Sequence, residues 1–378
     1  MSDTRKTTKP NVPNLRFPGF EGEWDKLKVR DFTRVVAGAT PATDKKEYWG
    51  GVIRWMNSGE LNLKRVYEVQ GRITQLGYDK TSTKIIPPHS VLIGLAGQGK
   101  TRGTAAMNYV ELCTNQSIAS ILPSDSFYSE FLYQNVESRY KELRDISSGD
   151  GGRGGLNLQM IYNLYIPHCS MQEQKKIGDF LYLLDQRIAI QNKVIEKYES
   201  LIKALAHEII GKNAPNTMLS ECVCCTSSTL KESDLSDAGA VPAYGAAGIS
   251  GFIDSALSDG DSILITKDGS GVGSLRYVVG HHSFVGTLNS MTPKEGVYLP
   301  YIYYALQNVC FESYRTGQAI PRIYFKDYGK EALYCPSFDD QKRLAKGLEM
   351  IDAKIGIERA AIQNLQLVKA YLLSAMFI

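Results

Sequence analysis

From Ile177, alternating steps of four and three residues land on Leu181, Leu184, Ile188, Gln191, Ile195, Tyr198, Ile202, Leu205 and Ile209; nine of these ten positions are apolar. From Leu344 the same steps give Leu348, Ile351, Ile355, Glu358, Ile362, Leu365, Lys369, Leu372 and Met376, eight of ten apolar. A seam repeating every 3.5 residues over four heptads, in segments without proline, predicts two long helices of coiled-coil type rather than two ordinary surface helices. Each runs about 33 residues between its outer seam positions, or roughly 50 Å at 1.5 Å per residue.

The two segments are copies. "EQKKIGDFLYLLDQRI" from Glu173 aligns without gaps with "DQKRLAKGLEMIDAKI" from Asp340, an offset of 167 residues that sets Gln174 on Gln341 and Asp185 on Asp352. A polar residue interrupts both seams, Gln191 in one and Glu358 in the other. Such an interruption fixes register at some cost in stability. If the helices pair antiparallel about their midpoints, Gln191 and Glu358 lie close together. The copying extends upstream: "SVLIGLAGQGKT" from Ser90 lines up with "SILITKDGSGVG" from Ser262, and each is followed by a β-like run and an aromatic-rich helix. Gly-rich loops, "SSGDGGRGGLN" and "RTGQAIPR", then lead into the short runs "LYIP" and "LYCP".

The order is therefore globular unit, long helix, globular unit, long helix. Expected boundaries are 1–20 for a flexible N-terminal tail, 21–170 for the first unit and 171–212 for the first helix. The second unit is expected at 213–338 and the second helix at 339–378. The fold class is α/β of the α+β kind: two mixed-sheet units in an internal pseudo-twofold repeat, joined by two long helices.

Composition narrows the function classes. Hydrophobic residues make up 43% of the chain and charged residues 22%, as in ordinary globular domains. No apolar run is long enough to cross a bilayer, so no membrane partner is expected. The N-terminus has no apolar core of a secretory signal, and seven scattered cysteines argue against a disulfide framework; both point to the cytoplasm. Cys222, Cys224 and Cys225 lack a convincing second ligand pair, so no metal is expected. The net charge of +3 divides into roughly +4 for residues 1–152, +2 for 153–219, −5 for 220–316 and +2 for 317–378. A uniform basic patch is thus absent from the second unit.

Residues Gly94 to Thr101 match the phosphate-cradling string G-x-x-x-x-G-K-[ST]. The internal copy argues against that chemistry, because Val272 stands where Lys100 is and Gly273 where Thr101 is. The residues after both loops read as a returning strand, whereas a P-loop opens a helix. A Gly-rich strand connection is the better reading. Signatures of serine hydrolases, zinc hydrolases and amino-methyl transfer are also missing. The acidic residues of "DDQK" at Asp339–Lys342 stand at a helix start, where they favour the dipole.

Taken together, "LRFPGFEGEW" (Leu15–Trp24), the glycine loop between strands, the "IP…EQKKI" entry into a long helix and the duplication resemble the specificity subunits of type I restriction-modification systems. Val241–Val278 is similar to a target-recognition domain of that family. The resemblance implies a non-catalytic DNA-reading chain with two target-recognition domains. Each would contact one half of a bipartite, asymmetric site in double-stranded DNA, with the helices packed antiparallel between them. It further implies docking of two methyltransferase subunits and, through them, of restriction/translocase subunits. S-adenosylmethionine, ATP and Mg would belong to those partners, with no cofactor in this chain. Alternatives are a recognition subunit for a solitary adenine methyltransferase, a P-loop nucleotide-binding protein, and a coiled-coil scaffold with other ligands.

Base reading needs paired donors and acceptors on exposed loops. In the first unit the candidates are Asn57, Ser58, Gln98, Lys100, Arg102 and Arg153. In the second they are Tyr244, Lys267, Asp268, Ser270, Arg276, Gln318 and Arg322, with Asp268 as an acceptor from cytosine.

Overall fold

The computed structural model describes residues 11–97, 99, 101–147, 154–317 and 320–378. The chain forms two compact units, one of residues 1–190 with 362–378 and one of residues 191–361. Both long helices form: Met171–Ala206 is continued by a π turn at His207–Gly211, and Phe338–Met376 is the second. Each gives part of its length to each unit.

In the first unit a five-stranded sheet runs in the order Val35–Ala37, Ile118–Ile121, Val91–Gly94, Ala105–Asn108 and Arg65–Val66. The strand Val91–Gly94 is buried on both faces, as its unbroken apolar run requires. Because side chains alternate along a strand, it feeds two cores. Val91 and Ile93 join Trp24, Phe131, Ile177, Leu181, Leu372 and Met376. Leu92 joins Met56, Leu61, Val66 and Ile118 on the other face. Burying each such side chain contributes about 1.5–3 kcal/mol. Sharing of the first core by Ile177, Leu181, Leu372 and Met376 brings the start of one long helix beside the end of the other, antiparallel, within this unit.

The second unit repeats this plan with one strand fewer. Its sheet runs Val223–Ser227, Leu288–Pro293, Ser262–Thr266 and Leu275–Val278. A smaller sheet accompanies each: Trp49–Met56 pairs parallel with Cys113–Thr114, and Val241–Gly245 pairs parallel with Ser283–Phe284. In this unit, too, the helices run side by side, with Gln191 bonded to Glu358 and Glu199 to Arg359. All twenty seam positions, among them Ile177, Leu184, Ile188, Leu205, Leu348, Ile351, Ile355 and Leu372, are buried or half-buried. Leu183, Ile190, Met350 and Ile357, off the seam, are exposed.

One expectation is corrected. Residues 11–20, read as part of a flexible tail, are fastened to the fold. The Arg16 guanidinium grips the Glu173 carboxylate with two hydrogen bonds of 2.6 and 2.8 Å. Phe17 meets the Phe180 ring edge-on at 5.6 Å, and the Leu15 amide donates to Ala375 O. A planar guanidinium matched to a buried carboxylate ties down a segment that its polar composition alone leaves free.

Candidate functional site

The glycine-rich stretches are hairpins. Val91–Gly94 returns antiparallel through Ala105–Asn108, and Ser262–Thr266 through Leu275–Val278, so no helix opens on either loop. Gly103 and Gly273, one per copy, both hold left-handed backbone at φ +80° and +84°. A Cβ on Gly273 would also lie 2.6 Å from that of Phe311. Glycine is required there by the turn, and inside the string itself a Cβ on Gly94 would lie 2.2 Å from Thr101 O, so close packing accounts for that glycine without any phosphate.

In the second unit the loop is stitched to the segment around Arg322. The Gly269 amide donates to Pro321 O, the Ile323 amide to Lys267 O, and Arg322 Nε lies 3.0 Å from Asp268 Oδ1. These contacts bring Lys267, Asp268 and Arg322 to one cleft of about 350 Å³, with Ser227, Asn289 and Tyr324 on its other walls. The carboxylate expected to accept from a base is thus engaged by Arg322. Among the described residues no hydrogen bond occupies the terminal nitrogens of Arg322, whose side chain is exposed at the mouth of this cleft. Ser270 is exposed on the same loop. Arg276 is exposed on the strand Leu275–Val278, beside Gly248. Tyr244 is half-buried and packs on the cluster of Leu264, Val278, Phe284 and Leu288, with its ring edge-on to His282.

The first unit treats its candidates differently. Asn57 caps the short helix Ser58–Leu63: its Oδ1 accepts from the Gly59 amide at 2.8 Å and its Nδ2 donates to Glu60. Both ends of the amide are therefore in use, and Ser58 is the first residue of the capped turn. Arg102 donates to Gly154 O. Gln98, Lys100, Arg153 and Gln318 lie outside the described residues.

Two features escape a reading of sequence alone. Gln174 and Gln341, fully buried, make the same latch in each copy. Each side-chain oxygen accepts from a tyrosine amide, Tyr128 at 2.9 Å and Tyr298 at 2.8 Å, and each side-chain nitrogen donates to two carbonyls. The second is a buried charge network in the first unit. Arg65 forks onto Glu130 at 2.6 and 2.7 Å, reaches Asp185 at 2.7 Å, and lies over the rings of Tyr133 and Tyr182. Lys369 reaches Asp185 at 2.5 Å and Glu137 at 3.0 Å. Burial acts to raise the Asp185 pKa, but Lys369 and then Arg65 outweigh it and hold the carboxyl below its ordinary value. Lys369 was visible as a polar seam position; Arg65 had no periodic signal.

Comparison with known proteins fits this duplicated architecture. The family model for the type I restriction modification DNA specificity domain matches residues 21–200 and again 223–367. The chain is 33% identical over 183 residues to the type I restriction enzyme MjaIX specificity subunit of Methanocaldococcus jannaschii, covering 46% of this chain and 41% of that protein. It is 23% identical over 202 residues to the EcoR124I/EcoR124II specificity subunit of Escherichia coli, covering 50% of each. The chain thus spans half or less of these curated relatives. Among solved structures, the S subunit of a type I restriction-modification system from M. genitalium superposes with a TM-score of 0.62 at 20% identity, covering 97% of this chain and 99% of that one. A chain from a structure on complex assembly and conformational transition of the type I R-M system gives 0.51 at 15% identity, covering 96% and 99%. With the family model covering most of its length in two matches, the chain belongs to the type I restriction modification DNA specificity domain family.

Proposed function

We propose that this chain is the non-catalytic DNA-recognition subunit of a type I restriction-modification complex. Each globular unit reads one half of a bipartite, asymmetric site, and the paired helices set the separation of the halves. The observation that carries this reading is the contrast between what repeats and what does not. Strand order, the glutamine latch and the helix seam recur in both copies, while the exposed loop residues are unlike. A common frame bearing different loops suits two readers of different sequences.

Adenine methylation, ATP-driven translocation and cleavage reside in partner methyltransferase and restriction subunits, which bring S-adenosylmethionine, ATP and Mg. Two methyltransferase subunits docking on the helices supply much of the phosphate contact that the acidic second unit lacks. Among the described residues no helix is long and apolar enough to cross a membrane; the complex acts on chromosomal and invading DNA in the cytoplasm. The test is single-molecule sequencing of adenine methylation in host genomes with and without this chain. Loss of one bipartite methylated motif is expected; an unchanged methylome overturns the reading.

A further inference from the structure

The two copies differ at one place in a way that points to a missing cation. In the first unit the strand Arg65–Val66 adds to the edge of Ala105–Asn108, taking hydrogen bonds from the Met107 and Tyr109 amides at Lys64 O and Val66 O, 2.8 and 2.9 Å. That strand delivers Arg65 to Glu130, Asp185 and Tyr133. It sits in a stretch between Met56 and Arg72 that the second unit lacks, where Val241–Gly245 turns directly into Gly248–Ile253. The matching strand, Leu275–Val278, is consequently the last of its sheet among the described residues, and Val279 after it is 75% exposed.

The latches Tyr128–Gln174 and Tyr298–Gln341 fix the correspondence of the helices behind. Tyr133 matches Tyr303, Gln134 matches Tyr304, Asp185 matches Asp352 and Lys369 matches Ile202. Where the first unit holds Arg65 and Lys369, the second has a cleft of about 400 Å³ lined by Tyr303, Tyr304, Asp352, Ile202 and Leu275, with Glu199, Lys203 and Arg359 also on its walls. Asp352 is half-buried, has one long hydrogen bond from Tyr304 Oη at 3.5 Å, and has no ion pair among the described residues. Arg359, one heptad on, is held by Glu199 at 2.5 Å.

We propose that this cleft receives an arginine of a partner protein, presented on an extended segment that adds to the edge of Leu275–Val278. The occupant supplies from outside the strand and the guanidinium that the first unit supplies from its own chain. The charge of Asp352, the flanking tyrosine rings and the open strand edge fit that chemistry. The ligand class of the cleft, an arginine on an extended segment, does not rest on the proposed function.

The probe is a labelled peptide with the sequence of Asn62–Gln70, NLKRVYEVQ, titrated into the purified full-length chain by fluorescence anisotropy and by saturation-transfer NMR, which reads millimolar affinities. Saturable binding is expected. It should weaken about tenfold or more with Arg65→Ala in the peptide or Asp352→Asn in the chain, as for loss of one partner of a desolvated charge pair. Ile202→Lys in the chain, which places a cation where Lys369 lies in the other copy, should block it. Circular dichroism of both protein variants checks that they fold. Binding indifferent to the peptide arginine or to Asp352→Asn overturns the proposal, as does no binding at millimolar peptide. These readouts need no DNA, so they stand apart from the methylome test.

Discussion

Gln191 and Glu358, the polar interruptions of the two helical seams, meet within one unit: Gln191 Nε2 donates to Glu358 Oε2. Glu358 also takes Lys354 Nζ at 2.8 Å, one turn back on its own helix. An amide facing a carboxylate inside an otherwise apolar seam is satisfied in one alignment of the helices, and a slip by a heptad strands both groups among aliphatic side chains.

Removing one partner should therefore cost more than removing both. Gln191→Leu leaves a half-buried carboxylate without its amide and is expected to destabilise by about 1–3 kcal/mol. The double change to leucine should be near neutral or stabilising, at the cost of register. Urea unfolding measures the first effect. Disulfide trapping between cysteines placed across the helices measures the second, with several registers expected in the double variant and one in the parent.

Asp185 and Asp352 are repeat partners whose environments differ in sign, so their asparagine variants should move stability in opposite directions. Lys369 and Arg65 hold the Asp185 pKa down against the burial that raises it. A depressed carboxylate contributes stability that is full above its unfolded value of about 3.9 and is lost as pH falls through the lower folded value. Asp185→Asn should destabilise at neutral pH, by about 3–5 kcal/mol if it behaves as the breaking of a buried pair. At Asp352 burial raises the pKa, with Glu199 adding to it and Arg359 and Tyr304 opposing. Its folded value lies above its unfolded one, so the charged form costs stability at neutral pH and the cost disappears on acidification. Asp352→Asn should raise the melting temperature at pH 7 and leave it unchanged in acid. Thermal unfolding across pH measures both.

We propose Arg322, ion-paired with Asp268 through Nε, as a base-reading residue of the second unit. Arg322→Ala should relax the methylated motif at one position of one half-site, corresponding to about 1–3 kcal/mol of discrimination. The other half should be untouched. Methylome sequencing of the variant reads this directly.

Much of the frame was legible because it is periodic. The seam, the 167-residue offset and the strand-turn-strand reading of the glycine loop all come from patterns that local sequence carries. The capping contact of Asn57 was also within reach, since Asn57 and Glu60 have the three-residue spacing of a capping box. Arg65 was not legible. Its strand is two residues long, and its partners Glu130 and Asp185 lie 65 and 120 residues away on separate elements. No period in sequence marks such a contact; only the packed fold assembles it. Tyr244 was ambiguous for a related reason: an aromatic beside a glycine reads the same whether its ring faces a base or a core, and the fold shows it half-buried against Leu264 and Phe284.

The most direct measurement concerns the helices as a ruler. One heptad inserted after Gln191 and another after Glu358 keep the seam and lengthen the pair by about 10 Å, or roughly three base pairs at ~3.4 Å each. Sequencing of genomic adenine methylation should then show the same two half-sites with a spacer longer by about three base pairs. Half-sites that change while the spacer stays fixed would contradict the assignment of reading to the globular units and of spacing to the helices.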